Sequence, residues 1–230
     1  LGLDWDGEVL FQGSRFDAYQ AALESLLRHG LLYRCYCSRK ETRTLPYPGT
    51  CRGRTTGTGP YSLRLRTSPD PVHFTDIIQG TLHCDLQRQS GDYIVRRADG
   101  LYAYHLAVTI DDAWQGVTRV IRGADLLDTT PNQIHLQNCL ALPTPEYGHF
   151  PVAAERPGRK ISKRRGALHA LLGTRPAAVL LDALRFLGQP VDDDMNGIDD
   201  CGEALKRALA VWDIGKVPKV REIVVGDGGS

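Results

Sequence analysis

The chain has 230 residues, 42% hydrophobic and 24% charged, with a formal net charge of +1 at pH 7. That balance excludes disordered and collagen-like classes, and no stretch reaches the roughly 18 uninterrupted apolar residues of a membrane span. Near-neutrality argues against a general nucleic-acid glue, yet the basic side is overwhelmingly Arg, the residue suited to bidentate phosphate and carboxylate recognition, which leaves room for a local basic surface. The chain opens on Leu1 rather than Met and shows no secretory leader. The expected address is the cytoplasm, and native sequence is expected upstream of Leu1, a processed terminus being the alternative.

From Ser14 to Gly30 the apolar residues Phe16, Tyr19, Ala22, Leu23, Leu26 and Leu27 recur at helical spacing, with Ser14 as the expected cap and Gly30 as the stop. Leu31 to Cys37 reads as a strand leading into a Pro- and Gly-rich stretch, Ser38 to Pro60. Further strands are expected over Tyr61–Arg66, Val72–Ile78, Gly80–Leu86 and Tyr93–Arg97. Leu101 to Ile110 is a nearly continuous apolar run ending at Asp111 and Asp112, the pattern of a strand buried on both faces with carboxylates where α/β folds place ligands. Val117–Ile121 predicts one more strand, and a helix opens near Thr130 and Pro131, Thr130 as its cap. A strand precedes the basic loop after Pro151, and from Pro176 onward the chain reads as mostly helical. The class is therefore α/β, with a β-rich insertion.

Two constellations carry chemistry. Cys35, Cys37 and Cys51 fall within 17 residues, and in a chain without a leader clustered thiols are metal ligands more often than disulfides. Three thiolates close three corners of a zinc tetrahedron; the fourth ligand is Tyr47 or a distant His such as His73 or His83, and a set of free thiols is the alternative. Bound metal would stabilise a stretch too poor in apolar residues to build its own core. The second is the basic run Arg156 to Arg165, in which Lys160 and Lys163 would offset charge on phosphates. A solvated basic turn is the plain alternative.

Lys160-Ile161-Ser162-Lys163-Arg164 resembles the Lys-Met-Ser-Lys-Ser signature of class I aminoacyl-tRNA synthetases, departing at Ile161 and Arg164. The strings from Asp92 to Asp112 and from Gly116 to Leu126 are similar to the glutamyl lineage of that class. Within the lineage, Cys35, Cys37, Tyr47 and Cys51 match the Cys-x-Cys and Tyr-x-x-x-Cys pattern of the short branch that attaches glutamate to queuosine in the anticodon loop of tRNA(Asp). The resemblance implies a Rossmann-like catalytic core and ATP-dependent formation of glutamyl adenylate, with Mg2+ and zinc as metals and L-glutamate, ATP and tRNA(Asp) carrying queuosine as partners of a monomer. It implies that Tyr104, inside the buried strand, and Arg122, at a strand end, bind glutamate, that Lys160 and Lys163 act in catalysis, and that Lys163 contacts ATP.

The same resemblance divides the chain into a partial catalytic core (1–31), a zinc-binding connective insertion (32–100), the second half of the core with the basic signature loop (101–166) and a helical C-terminal region (167–230). It places the family's first phosphate motif and further glutamate contacts upstream of the position matching Leu1, so these residues alone are expected to be poorly active. His105 and His149 are expected to be structural. The rival readings are a truncated glutamyl-tRNA synthetase and a noncatalytic zinc and RNA binding module.

Overall fold

A computed structural model describes residues 3–38, 40–42, 46–161 and 175–225. Helix α1 (Phe16–Arg28) buries Tyr19, Leu23 and Leu26 along one stripe, as their spacing requires. Ser14 does not cap it. The Ser14 hydroxyl donates instead to the Phe11 carbonyl at 2.8 Å within a 3₁₀ turn, Gln12–Ser14, and Arg15 stands at the cap without a side-chain bond. The stop is where the sequence puts it: Gly30 adopts φ +69°, its N–H reaches the Leu27 carbonyl, and the Leu31 N–H reaches that of Leu26, a Schellman closure.

In chain order there follow β1 (Leu32–Cys35), β2 (Ser62–Leu65), β3 (Val72–Asp76), β4 (Gly80–Cys84), the short helix α2 (Leu86–Gln89) and β5 (Tyr93–Arg96). The expected strand to Leu86 ends at Cys84 because the Asp85 carboxylate accepts the Arg88 N–H at 3.1 Å and starts α2. β1, β2 and β5 form an antiparallel sheet in the order β1-β2-β5. Its alternation gives it two faces. Leu32, Leu63, Leu65, Tyr93 and Val95 join α1 in the main core, while Tyr33 and Cys35 join Tyr47 and Cys51 in a second, smaller cluster.

The apolar run over Leu101–Ile110 is a helix, not a strand. α3 spans Tyr104–Trp114, with Leu106 and Ala107 buried and Ile110 packed beside them. A run of about ten apolar residues is longer than a strand usually is, and periodicity alone does not separate the two states. Asp111 and Asp112 consequently lie in the last turn of α3 rather than beyond a strand end. The Asp111 carboxylate accepts the Tyr19 hydroxyl at 2.5 Å and the Arg15 Nε–H at 3.2 Å, which ties α3 to α1.

After α3 come β6 (Arg119–Gly123), a 3₁₀ segment (Ala124–Thr129), α4 (Thr130–Leu140), β7 (Glu146–Phe150), β8 (Val152–Arg156) and β9 (Arg159–Lys160). The strand expected over Val117–Ile121 thus sits two residues later. The second sheet has the order β4-β3-β7-β6, with β3 and β6 both parallel to β7 and β4 antiparallel to β3. β3, within residues 32–100, therefore shares a sheet with strands of residues 101–166. α5 (Pro176–Phe186), α6 (Asp193–Asn196) and α7 (Cys201–Val211) pack a separate core around Leu181, Leu184, Met195, Ala204 and Ala208. The tail is not helical to its end, because β10 (Glu222–Val224) returns to pair in parallel with β8 in a third sheet, β10-β8-β9. No helix of the described residues is long and apolar enough to cross a membrane.

Candidate active site and metal centre

The parallel strands carry their polar residues at their C-terminal ends, and there the side chains converge. Arg122, next to last in β6, is held from three sides: its Nε–H donates to His149 Nε2 at 3.0 Å, and Nη2 donates to Thr130 Oγ1 at 2.8 Å and to Gln133 Oε1 at 2.7 Å. Thr130 is not a helix cap, since its hydroxyl serves this guanidinium from the first turn of α4. A guanidinium only donates, so His149 Nε2 carries no proton there, and the ring proton sits on Nδ1, which donates to Asp76 Oδ2 at 2.6 Å. Asp76 ends β3. Burial alone would raise its carboxyl pKa, but the bond from His149 and the N–H groups of Gln79, Ile78 and His149 together hold it below the usual range. His149 is fully buried, so it positions Arg122 rather than meeting a ligand.

Around this centre the charge of Arg122 acts on several groups. Burial pushes the Asp112 carboxyl up against the opposing pull of Arg122, and burial followed by Arg122 pushes the His105 imidazole down. The guanidinium carbon lies 5.5 Å from the centroid of the Tyr147 ring, whose hydroxyl is also within electrostatic reach of Tyr104. Arg122 Nη1 has no protein acceptor among the described residues, which leaves one edge of the fork available to a ligand carboxylate. Tyr104 is not inside a buried strand; it opens α3 with 51% of its surface exposed. The structure thus brings Arg122 and Tyr104 to one locality. Lys160 lies in β9, where its ammonium donates to Asp125 Oδ2 at 2.5 Å. Lys163 lies outside the described residues. Asp76 and Gln133 escaped the sequence reading and Thr130 entered it only as a cap, although an acidic residue closing an apolar strand was a usable signal at Asp76.

A cavity of about 800 Å³ is bounded by Arg64, Tyr93, His105, Asp128 and Asn132, and His105, within electrostatic reach of Arg122, is its nearest link to that centre. Its walls include His105, beside Tyr104, and Thr129, beside Thr130. Arg64 Nε and His105 Nδ1 are buried without a hydrogen-bond partner among the described residues. Native structures rarely leave such atoms unpaired.

The thiols of Cys35, Cys37 and Cys51 lie within 4.8 Å of one another. The Tyr47 hydroxyl stands 3.4 Å from Cys35 Sγ and 3.6 Å from Cys37 Sγ, Cys37 and Cys51 Sγ are 3.6 Å apart, and the Cys51 N–H donates to the Tyr47 oxygen at 3.1 Å. A zinc–sulfur bond of about 2.3 Å makes the edge of a tetrahedron about 3.8 Å, so three sulfurs and one oxygen at these separations fit one tetrahedral ion. His73 and His83 do not join them, because they face each other across the β3–β4 hairpin. Burial tends to raise the Cys35 thiol, yet bonds from Tyr47 and the Cys37 backbone, with Arg64 nearby, bring it down to about 7. The next residue, Arg52, clamps the loop to the sheet through a two-pronged bond to the buried Asp92, at 2.5 and 2.6 Å.

Residues 48–200 match the family of class I tRNA synthetases (E and Q), catalytic domain. The glutamyl-Q tRNA(Asp) synthetase of Dechloromonas aromatica is 49% identical over 225 residues, covering 92% of this chain and 71% of its own length. That of Pseudomonas syringae pv. tomato is 44% identical over 224 residues, covering 96% of this chain and 75% of its own. A glutamate tRNA ligase from Elizabethkingia meningosepticum, solved in complex with its amino acid, superposes with a TM-score of 0.68 at 20% identity. This chain spans about half of it, 51%, with 93% of its own residues aligned.

Proposed function

Since the chain belongs to the class I tRNA synthetases of the E and Q family, we propose that it activates L-glutamate with ATP and transfers it to queuosine in the anticodon loop of tRNA(Asp). The observation that carries this reading is the Arg122 fork, fixed by His149, Thr130 and Gln133 with Nη1 left for a carboxylate. In this reading Arg122 holds a glutamate carboxylate, and the exposed Tyr104 hydroxyl adds a hydrogen bond. The α-carboxylate oxygen attacks the α-phosphorus of ATP, pyrophosphate leaves, and glutamyl adenylate forms. A hydroxyl of the queuosine ring then attacks the carbonyl carbon, and AMP leaves.

Neither step needs a covalent bond to the protein, so catalysis rests on positioning and electrostatics. Lys160 would exchange Asp125 for phosphate oxygens, and Lys163, three residues on, would reach the same nucleotide. Magnesium enters with ATP as part of that substrate and neutralises phosphate charge. The cavity that reaches His105, with Arg64 Nε and His105 Nδ1 unpaired among the described residues, supports a polar, nucleoside-sized acceptor. Cys35, Cys37, Tyr47 and Cys51 would hold zinc as a structural ion, four protein donors leaving no position for substrate.

The deciding experiment offers radiolabelled glutamate and ATP with tRNA(Asp) containing queuosine, tRNA(Asp) lacking it, and tRNA(Glu). Label on the first alone is expected. Charging of tRNA(Glu) would instead identify a glutamyl-tRNA synthetase, and RNA binding with no glutamate or ATP requirement would identify a noncatalytic module.

A further inference from the structure

The outer face of the β3–β4 hairpin carries two imidazoles that the candidate site does not use. His73 and His83 stand directly opposite each other in the antiparallel register, their ring centroids 4.6 Å apart and their planes at 72°. Their Nδ1 atoms face each other within hydrogen-bond reach. Both residues are exposed, and among the described residues neither ring makes another hydrogen bond. Alternation along the hairpin fixes this arrangement, because Val72 and Cys84 are paired and buried, so the adjoining residue on each strand turns outward. The hairpin is also pinned at its turn. Asp76 accepts the Ile78 and Gln79 N–H groups at 3.0 and 2.8 Å and holds the buried His149 ring, so the two imidazoles project from a braced support.

Two imidazole lone pairs do not meet at contact unless something positive lies between them. A proton serves when one ring donates to the other, and a metal ion serves when both rings are neutral. Three features of the surroundings suit the ion. Neither Val72–Asp76 nor Gly80–Cys84 contains Lys or Arg, so the strands themselves bring no competing cation. The neighbouring outward pair, Thr75 and Thr81, is neutral, its hydroxyls 3.5 Å apart. His73 also shares the wall of a cavity of about 460 Å³ with Ser68 and Asp70, which leaves room for water. Asp70 is exposed, and its carboxylate accepts only the Ser68 hydroxyl, at 3.3 Å, among the described residues. Zinc–nitrogen bonds of about 2.0–2.1 Å set two nitrogens of a tetrahedral ion about 3.4 Å apart, which the rings reach by swinging slightly away from each other.

We propose that His73 and His83 form a second metal site, apart from the cysteine cluster, which binds a first-row divalent cation of the zinc type through both Nδ1 atoms, with water and the Asp70 carboxylate available to complete its coordination. The site does not depend on the synthetase reading. β4 is the end strand of the sheet β4-β3-β7-β6, so an ion shared by His73 and His83 fastens that edge strand to β3, the strand that ends at Asp76. Binding to the folded hairpin alone makes the ion a stabiliser of that edge.

The test dialyses the full chain against buffered zinc and counts the bound ion in the wild type, His73→Ala, His83→Ala and the double variant. The cysteine cluster is intact in all four, so its share cancels in the difference. One equivalent more is expected in the wild type than in any of the variants. Each single variant should raise the Kd of that ion at least about tenfold, since even a supporting contact of a metal site is worth that much. His29→Ala, which removes an exposed imidazole elsewhere, should keep the extra equivalent. Copper(II) supplies a second measurement: its electron paramagnetic resonance spectrum should show coupling to two imidazole nitrogens in the wild type, and that signature should be lost in either single variant. Both substitutions lie on the exposed face, so melting temperatures in chelator should match the wild type, with zinc then raising only the wild-type value. Equal zinc in the wild type and His73→Ala, or an equal zinc-induced shift in the double variant, overturns the site. A wild type that takes up no extra ion and shows a proton shared between the rings does so as well, leaving the pair as a hydrogen bond only.

Discussion

Arg122 has three of its contacts made before any ligand arrives, so its free edge is oriented in advance. Arg122→Lys keeps the charge but not the fork that spans His149, Thr130 and Gln133. Loss of a paired, charge-assisted contact of about 2–3 kcal/mol predicts roughly a hundredfold fall in kcat/KM for glutamate. The KM for ATP should change little, and an adenylate assay at varied glutamate checks both. Asp92 is the second residue with a measurable signature. Its side chain is wholly buried, and bonds from Arg52, Tyr33 and the Thr67 N–H overcome burial to hold its pKa at about 2. A depressed carboxyl adds stability that is present above its unfolded pKa near 4 and fades as pH falls from there toward 2. The contribution is about 2 kcal/mol. Denaturant midpoints between pH 6 and 2 should drop along this limb in the wild type, and the drop should flatten in Asp92→Asn, which starts from a lower midpoint at pH 6.

At the scale of elements, the described residues of the segment between β1 and β2 pack around the small cluster of Tyr33, Cys35, Tyr47 and Cys51, with Cys37 beside it. The segment's order would therefore be tied to the zinc those side chains are proposed to hold, ligation free energy then becoming folding free energy. About one equivalent of zinc is expected in protein purified without added metal, and less than about a tenth would overturn the assignment. Tyr47→Phe removes the single oxygen donor and keeps the ring beneath the Arg64 guanidinium, 3.8 Å away. That variant is expected to retain its fold, to lose zinc to a chelator at lower concentration than the wild type, and to melt several degrees lower, as a loss of about 2 kcal/mol would give in a chain of this size. An unchanged chelator midpoint would remove Tyr47 from the ligand set. α3 carries the opposite lesson about elements. Its apolar run satisfied a buried strand as well as a helix, and the choice fell to its packing between α1 and α4, which no local window contains.

Across the whole molecule, the site is assembled from the ends of β3, β6 and β7 and the first turns of α3 and α4. The sequence by itself determined the α/β class, the clustered Cys35, Cys37, Tyr47 and Cys51, the helix ended by Gly30, and the motif strings that mark the synthetase family. These are local: spacing, turn chemistry and short strings carry their meaning within a few residues. Only the tertiary structure decided that Leu101–Ile110 packs as a helix and that Thr130 supports Arg122 instead of capping. It also decided that His149 hands its Nδ1 proton toward Asp76. Each of those depends on partners far apart in the chain, Asp76 and His149 being 73 residues apart, and such pairings are set by how sheets and helices close upon one another rather than by any local pattern.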